Sequence, residues 1–364
     1  QNICLGTTPP RKDRQLTPGP AECGVAPARL RGPGAQRALM NGTAPSTNFS
    51  ADRVVAAVVV SAEACVSVTG NTLVLFVSLW DDQVKRHRSS LLVVSLAVTD
   101  LLSATLVMVP SACALTYEGW PLGDRAFCTF HGVLNYWLTS TSSLTLAMIA
   151  LDRGLAIQKP LEYVQRSTWR RVAQMVAFPW TLGIVFALVP ACLDWTAYQF
   201  DNIVCDVDWH PRHEHVLYYA ATFSLCFAAP AVVVLVQYAR ILLSVRRLRE
   251  MVAAPVTNGA ACSSGRPPLV RRHSDSQKIL LSILTVIVIF FVCIIPFCFT
   301  KLVKVLLGPQ AIPNWLDMMS TIIQFLASVA NPFVYSIGLK NFQDALCRLT
   351  RAGRYRNPWS LNPR

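Results

Sequence analysis

Seven long apolar runs set the limits on what this chain can fold into. Each is about 20 or more residues long, the length that a helix needs to cross the hydrocarbon core of a bilayer. The runs are continuously apolar rather than alternating, which favours helices over membrane strands. The sequence therefore predicts an all-α integral membrane protein, a seven-transmembrane helix bundle within residues 54–339. The predicted spans are Val54–Leu79, Ser90–Ala114, Phe127–Leu151, Arg171–Leu193, Val216–Leu243, Ile279–Leu306 and Met318–Ile337.

The charges lie mostly in the segments that connect these runs. Lys and Arg number 33 against 20 Asp and Glu, a formal net charge of +13, although charged residues make up only 15% of the chain. Segments 81–89, 152–171, 240–278 and 340–364 hold 22 of the Lys and Arg residues, against five in the segments on the other side. The positive-inside rule then makes these four segments cytoplasmic, so the N-terminus is extracellular and the C-terminus cytoplasmic. The basic excess is thereby explained by topology, and no nucleic acid is expected as a partner.

Residues 1–53 are predicted to form an extracellular tail. Met40 is followed by two glycosylation sequons, at Asn41 and Asn48, which make sense only outside the cell. Residues 1–39 are rich in Pro, Gly and Arg and contain no apolar run long enough for a signal peptide. We therefore hypothesise that Met40 is the physiological start and that residues 1–39 are a translation artefact or a disordered leader.

The chain contains twelve cysteines, which fall into different environments. Cys128, at the outer end of the third span, and Cys205, in the loop after the fourth, both lie on the extracellular side, where disulfides persist. A bridge between them would pin the 194–215 loop over the third helix. Cys347, in a short amphipathic stretch after the seventh span, is either a palmitoylation site or a free thiol. The cysteines inside the spans are expected to be small buried hydrophobes: Cys65, Cys113, Cys226, Cys293 and Cys298.

Short motifs occur in the spans in a fixed order. They are Gly70-Asn71 in the first span, Leu96–Asp100 in the second, Asp152–Gly154 at the end of the third, Trp180 and Pro190 in the fourth, Pro230 and Tyr238 in the fifth, Phe290 and Cys293–Pro296 in the sixth, and Asn331–Tyr335 in the seventh. With this order the chain resembles a class A, rhodopsin-like G protein-coupled receptor. The resemblance implies a plasma-membrane receptor, not an enzyme, that passes an extracellular signal, or constitutive activity, to heterotrimeric G proteins. It also implies a short amphipathic eighth helix at the start of the 340–364 tail.

The resemblance assigns one set of residues to activation and G protein coupling. Asp152 would hold the Arg153 guanidinium until activation, when Arg153 meets Tyr238 and the G protein. Ser276 lies near the position of the acidic residue that often restrains this arginine from the sixth helix, and Gly154 replaces the usual tyrosine. We therefore expect appreciable ligand-independent signalling. The assigned set is Asp152, Arg153, Tyr238, Phe290, Pro296, Asn331, Pro332 and Tyr335.

Asp100 is a carboxylate in the middle of the second span, where burial is costly and by default marks function. The resemblance implies an allosteric sodium site made of Asp100, Ser142, Ser328 and Asn331. Ala327 stands where another asparagine is often found. In the alternative interpretation Asp100 only forms hydrogen bonds between helices.

The resemblance also places a ligand pocket at the outer ends of the spans. Asn135 occupies the position of the aspartate of amine receptors and Phe325 that of the retinal-binding lysine, so we expect an orphan-like receptor that is neither aminergic nor an opsin. Lys301 either meets an anionic group of the ligand, which is a small molecule, a lipid or a peptide, or pairs with the acidic loop residues Asp201, Asp206 and Asp208. The predicted pocket residues are His131, Asn135, Tyr136, Thr139, Phe297, Lys301, Thr321 and Gln324.

The cytoplasmic segments carry further candidate sites. Arg271–Ser274, in the third intracellular loop, resembles a basophilic-kinase site, which makes Ser274 a predicted phosphorylation site. The arginines at 246, 247 and 249 are expected to contact anionic membrane lipids or a protein partner. A seven-helix transporter is an alternative function, but it predicts an internal repeat, and the sequence shows none. A non-signalling receptor is the other alternative.

Overall fold

The computed structural model describes residues 47–82, 88–116, 120, 125–199, 203–253, 268–338 and 348. Within these residues it contains seven long helices in the predicted order, which confirms the seven-helix fold. They are α1 (Thr47–Trp80), α2 (Ser90–Ser103, Ala104–Met108 and Val109–Thr116 in succession), α3 (Arg125–Gln158), α4 (Trp169–Cys192), α5 (His213–Phe223, Ser224–Ala228 and Ala229–Ala253 in succession), α6 (Pro268–Leu307) and α7 (Asn314–Gly338).

The helix α3 packs against α2, α4 and α5, while α6 packs most extensively against α7. Among the residues whose side chains the structure describes, five helical segments are long and apolar enough to cross a membrane: Asp52–Trp80, Ser90–Thr116, Trp169–Cys192, His213–Ser244 and Val288–Leu307. The helix α3 falls outside this group because it is richer in polar residues. Many of the polar side chains of α3 are buried, including those of His131, Asn135 and Asp152. These polar side chains therefore point into the bundle rather than toward lipid.

One π-helical turn interrupts α2 and another interrupts α5. These turns are Ala104–Met108 and Ser224–Ala228, and Pro110 and Pro230 follow them two residues later. A proline ring clashes with the carbonyl four residues before it, and that carbonyl lies within the π-helical turn in both helices. The wider turn absorbs the clash and keeps each helix continuous.

A two-stranded antiparallel hairpin, which the sequence analysis did not predict, lies between α4 and α5. Its strands are β1 (Thr196–Gln199) and β2 (Val204–Val207), and Tyr198 faces Cys205 in the register. The predicted disulfide between Cys128 and Cys205 is present and ties β2 to α3. Gly132 allows the close approach of the hairpin, since a Cβ there would lie 2.8 Å from Thr196 Cγ2 and 3.1 Å from the Cys205 carbonyl oxygen.

Several helices extend beyond the predicted spans. The helix α1 begins at Thr47 instead of Val54, and α6 begins at Pro268 instead of Ile279. A hydropathy window detects only the part of a helix that matches lipid, so polar turns beyond it are missed. The placement of Ser274 in a loop is therefore wrong, because that residue lies on α6. The predicted eighth helix with Cys347, the sequon residue Asn41 and the side chains at 246, 247 and 249 lie outside the described residues.

Candidate functional site

At the end of the bundle where α3 ends, Arg153 is held by Asp152 of α3 and by Ser89, the residue just before α2. Its guanidinium lies 3.1 Å from Asp152 Oδ2 and donates a hydrogen bond to the Ser89 hydroxyl. Tyr163 joins the group, since its hydroxyl lies 3.4 Å from both Ser89 Oγ and Asp152 Oδ2. Asp152 is almost fully buried, whereas the side chain of Arg153 is 29% exposed. This arginine is therefore partly exposed and restrained by its neighbours.

Tyr238, on the neighbouring part of α5, lies beside Arg153 but does not bond to it. Tyr238 is buried and lies close enough to interact electrostatically with Arg153. Its hydroxyl has no hydrogen-bond partner within the described part of the chain. Gly154 allows α3 to lie close to α5, because a Cβ there would collide with Gln237 Oε1. The two predicted partners, Arg153 and Tyr238, are thus adjacent without being bonded.

A short helix, Pro160–Arg166, follows α3 and is called the loop helix below. Its charges are paired along the helix, with Glu162 2.9 Å from Lys159 Nζ and 2.8 Å from Arg166. The hydrogen bond from Lys159, with the charge of Arg166 adding to it, lowers the pKa of the Glu162 carboxyl. Two apolar side chains on the same helix are exposed, Leu161 at 84% and Val164 at 75%.

Asp100 lies in the middle of the bundle among oxygen-bearing side chains. Asn331 Nδ2 donates to Asp100 Oδ2 at 2.7 Å, and Ser142 and Ser328 lie against the same carboxyl. Asp100 Oδ1 accepts no hydrogen bond of normal geometry from any residue that the structure describes. A neighbouring cavity is lined in part by the hydroxyls of Ser103, Thr139, Ser142 and Ser328. The four predicted sodium ligands are therefore brought together.

The other residues assigned to activation lie above and below this carboxyl. Phe290 and the adjacent Ile294 belong to the main apolar core, and Pro296 lies within α6 just above them. Pro332 lies within α7 and is buried, as is Asn331. Tyr335 lies on α7, and its side chain is outside the described residues. The second intramembrane carboxylate, Glu63 in α1, is 6% exposed and has no hydrogen-bond partner among the described residues.

The predicted pocket residues meet at the outer half of the bundle and are largely bonded to the protein itself. Gln324 Nε2 donates to Thr139 Oγ1 at 2.9 Å and lies 3.3 Å from Asn135 Oδ1. His131 Nε2 lies 3.1 Å from the Val107 carbonyl oxygen, while its Nδ1 faces the backbone N–H of Cys205 at 3.4 Å. Six of the eight are below 6% exposed, namely His131, Asn135, Phe297, Lys301, Thr321 and Gln324.

Lys301 pairs with the hairpin between α4 and α5. Its Nζ lies 2.9 Å from Asp206 Oδ2 on β2 and 3.2 Å from Asp317 Oδ1 on α7. Tyr136 donates a hydrogen bond to the other oxygen of Asp206 at 2.6 Å. Of the other two acidic loop residues, Asp208 pairs with His210 at 3.2 Å, and Asp201 lies outside the described residues.

An aromatic cavity lies beside this group, between α3, α5, α6 and the segment after β2. Sequence reasoning found Tyr136, Phe297 and Lys301 but missed Trp209 and the residues of α5. A periodic signal for the latter was present, because Tyr218, Thr222 and Tyr219, Phe223 follow the four-residue spacing of one helix face. The cavity is lined by Tyr136, Trp209, Tyr218, Tyr219, Thr222, Phe223, Phe227, Phe297, Cys298 and Lys301.

Comparisons with known proteins agree with this arrangement. A family model described as "7 transmembrane receptor (rhodopsin family)" matches residues 70–335. Human 5-hydroxytryptamine receptor 4 is 26% identical over 325 residues, covering 85% of this chain and 83% of that receptor. The Cavia porcellus histamine H2 receptor is 27% identical over 336 residues, 88% of each chain. Squid rhodopsin has a TM-score of 0.70 at 17% identity, covering 84% of this chain and 87% of that chain.

The comparisons correct one expectation. The chain was expected to stand apart from aminergic receptors and opsins, and this is wrong, since relatives named for 5-hydroxytryptamine and histamine match most of its length and squid rhodopsin shares its fold. The expectation depended on the side chains at Asn135 and Phe325, and two positions do not outweigh similarity over a whole bundle. With the family model covering most of the chain and all seven helices in place, the protein belongs to the rhodopsin family of seven-transmembrane receptors and is a G protein-coupled receptor.

Proposed function

We propose that this receptor faces the cell exterior with its hairpin and the cytosol with Arg153, and that Arg153 and the loop helix contact the G protein. The observation that carries the proposal is the restrained Arg153 beside an exposed apolar surface, Leu161 and Val164. Exposed apolar side chains near a polar anchor are typical of a protein-binding site. The basic cytoplasmic segments support the same orientation by the positive-inside rule.

A G protein activation panel without added ligand tests this proposal. We expect nucleotide exchange above that of untransfected membranes for at least one G protein class, and its loss in Arg153→Ala. Arg125→Ala is the matched control, because Arg125 is an exposed arginine of α3 whose partner is Asp194 at 2.7 Å, at the opposite end. No exchange above background with any class, or equal exchange by Arg153→Ala at equal surface expression, would contradict the proposal.

We propose that Asp100, Ser142, Ser328 and Asn331 hold a sodium ion that stabilises the resting bundle. The residues fit such an ion, because Asp100 Oδ1 accepts no hydrogen bond from a described residue and hydroxyl oxygens line the adjoining cavity. A hard monovalent cation favours oxygen ligands of this kind, as hard divalent cations do.

For the ligand we propose a small aromatic amine that widens the aromatic cavity on binding, since the free volume there, about 20 Å³, has room for about one water molecule. The cavity offers the faces of Tyr, Trp and Phe side chains, which attract an ammonium group without a carboxylate. Two of the relatives reported above are named for 5-hydroxytryptamine and histamine, so these amines are the first to test. We expect a concentration-dependent response to one amine that is weakened in Phe297→Ala. Thr181→Val, an exposed change in α4, is the control.

Four further predictions from the sequence remain proposals for experiment. They are glycosylation at Asn41 and Asn48, palmitoylation at Cys347 and phosphorylation at Ser274. Mass spectrometry of the receptor from native membranes tests all of them together.

A further inference from the structure

Four charged side chains form a buried cluster at the outer end of α6, which we call the outer charge cluster: Asp206, Lys301, Lys304 and Asp317. Lys301 lies between the two carboxylates, at 2.9 Å from Asp206 Oδ2 and 3.2 Å from Asp317 Oδ1. Lys304 pairs with the second oxygen of Asp317. All four residues are below 5% exposed, so water does little to screen their attraction.

The cluster joins three segments that pack around the outer end of α6. Asp206 comes from β2 of the hairpin, which the disulfide attaches to α3, and Asp317 comes from the first turn of α7. Tyr136 of α3 donates to Asp206, and Lys304 Nζ lies 3.3 Å from Gln199 Oε1 on β1. The cluster therefore links the outer end of α6 to α3, to α7 and to the hairpin.

Arg153 lies at the opposite end of the bundle from the outer charge cluster. The described partners of Arg153 are Asp152 and Ser89. Asp152 lies on α3, and Ser89 is the residue just before α2. In this same structure the outer charge cluster is closed and Arg153 is restrained. The two contacts therefore belong to one conformation, the one in which Arg153 is not released.

We infer that the outer charge cluster is a latch that holds α6 in the resting conformation, and that the extracellular hairpin is its movable part. Breaking one arm of a buried ion pair leaves an uncompensated charge, which is strongly unfavourable. A ligand or loop movement that separates Asp206 from Lys301 therefore makes the resting conformation less stable. The population of receptors then shifts toward the signalling conformation of α6. The inference goes beyond the proposed ligand and ion sites, because it assigns a role to the protein's own hairpin.

The test measures ligand-independent nucleotide exchange for variants at equal surface expression. Asp206→Asn/Lys301→Gln removes one charge of each sign, leaves no stranded charge and keeps hydrogen-bonding groups in place. We expect basal signalling to rise by at least about fivefold, the lower end of typical coupling between sites. Asp194→Asn is the matched control, since it removes an exposed extracellular ion pair with Arg125, and asparagine tolerates the positive φ of 58° at that position.

A second variant covers the case in which the double variant does not reach the surface. Tyr136→Phe removes only the hydroxyl that bonds Asp206 and leaves every charge in place. We expect a smaller rise in basal signalling from it, in proportion to the weakened hold on Asp206. Unchanged or lowered basal signalling in the surface-expressed variants, with the control also unchanged, overturns the latch.

A readout that does not depend on a G protein separates this inference from the proposed coupling. Hydrogen exchange of the purified receptor reports how firmly the cytoplasmic turns of α6, from Pro268 onward, are held. Faster exchange there in the double variant, but not in Asp194→Asn, supports the latch even if no G protein responds. That combination would contradict the proposed coupling instead, and unchanged exchange together with unchanged signalling overturns the latch.

Discussion

The Arg153 guanidinium donates a hydrogen bond to the hydroxyl of Ser89, the residue immediately before α2. Asp152 binds the same guanidinium from its own helix, so Ser89 is the contact that comes from outside α3. Because the Arg153 side chain is 29% exposed, solvent weakens this contact, and we assign it roughly 1 kcal/mol.

Ser89→Ala should therefore raise ligand-independent signalling by about fivefold, the population shift that roughly 1 kcal/mol produces. The measurement is nucleotide exchange at equal surface expression. Ser244→Ala is the control, since within the described part of the chain that hydroxyl bonds the Arg240 carbonyl oxygen of its own helix. Equal basal signalling in wild type and Ser89→Ala would show that Ser89 does not restrain Arg153.

Asp100→Asn should abolish the effect of sodium on stability. We expect the thermal midpoint of purified wild-type receptor to be higher in sodium chloride than in choline chloride at equal ionic strength, because an ion that binds only the folded state stabilises it. The variant removes the only carboxylate of the proposed site, so its midpoint should be the same in both salts. Glu63→Gln, which removes the other intramembrane carboxylate, should retain the difference, and its loss there would place the ion elsewhere.

Gly132→Ala should destabilise the contact between the hairpin and α3. The added Cβ would lie 2.8 Å from Thr196 Cγ2, and such overpacking typically costs about 1–3 kcal/mol. The thermal midpoint should therefore fall. Adding Thr196→Ser removes the nearest carbon and should recover part of the loss, although the Cys205 carbonyl oxygen, at 3.1 Å, remains close. A double variant no more stable than Gly132→Ala would argue against this contact as the cause.

Leu161→Asp should reduce receptor-stimulated nucleotide exchange by more than tenfold, because it places a charge in the apolar part of the proposed G protein surface, at a typical cost of about 2 kcal/mol or more. Leu161 is 84% exposed, so the change should leave the folded receptor intact. Gln165→Ala, an exposed change on the same loop helix, is the control. Normal exchange by a surface-expressed Leu161→Asp would remove the loop helix from the interface.

Much of the fold could be predicted because each membrane helix leaves a local signal. The apolar runs located all seven helices, and the positions of Cys128 and Cys205 on the same predicted side of the membrane led to their disulfide. The π-helical turns before Pro110 and Pro230 were not predicted. A proline in an apolar run indicates that the helix is distorted there, but not whether the distortion is a kink or a π-helical turn. Helix ends such as Thr47 and Pro268 extend into polar sequence that hydropathy does not mark.

The candidate site was predictable residue by residue but not in its pairing. From the sequence, Lys301 could pair either with a ligand or with one of three acidic loop residues. Its pairing with Asp206 depends on the register of the β-hairpin, which no periodic pattern in the sequence predicts. The participation of Asp317 was missed as well, because its partners lie 13 and 16 residues away on a different helix. Contacts of this kind are fixed by how the helices pack, which a single sequence does not state.

The outer charge cluster also limits how this sequence can drift between species. Asp206 and Asp317 balance Lys301 and Lys304, so the four buried residues are neutral as a group. Loss of a single member leaves an excess charge in a dry environment and is selected against on stability alone. Orthologues should therefore keep all four charges or lose them as oppositely charged pairs, and lineages with an odd number should be rare. The cluster thus leaves a pattern of correlated substitution between a loop and two helices that lie far apart in the chain.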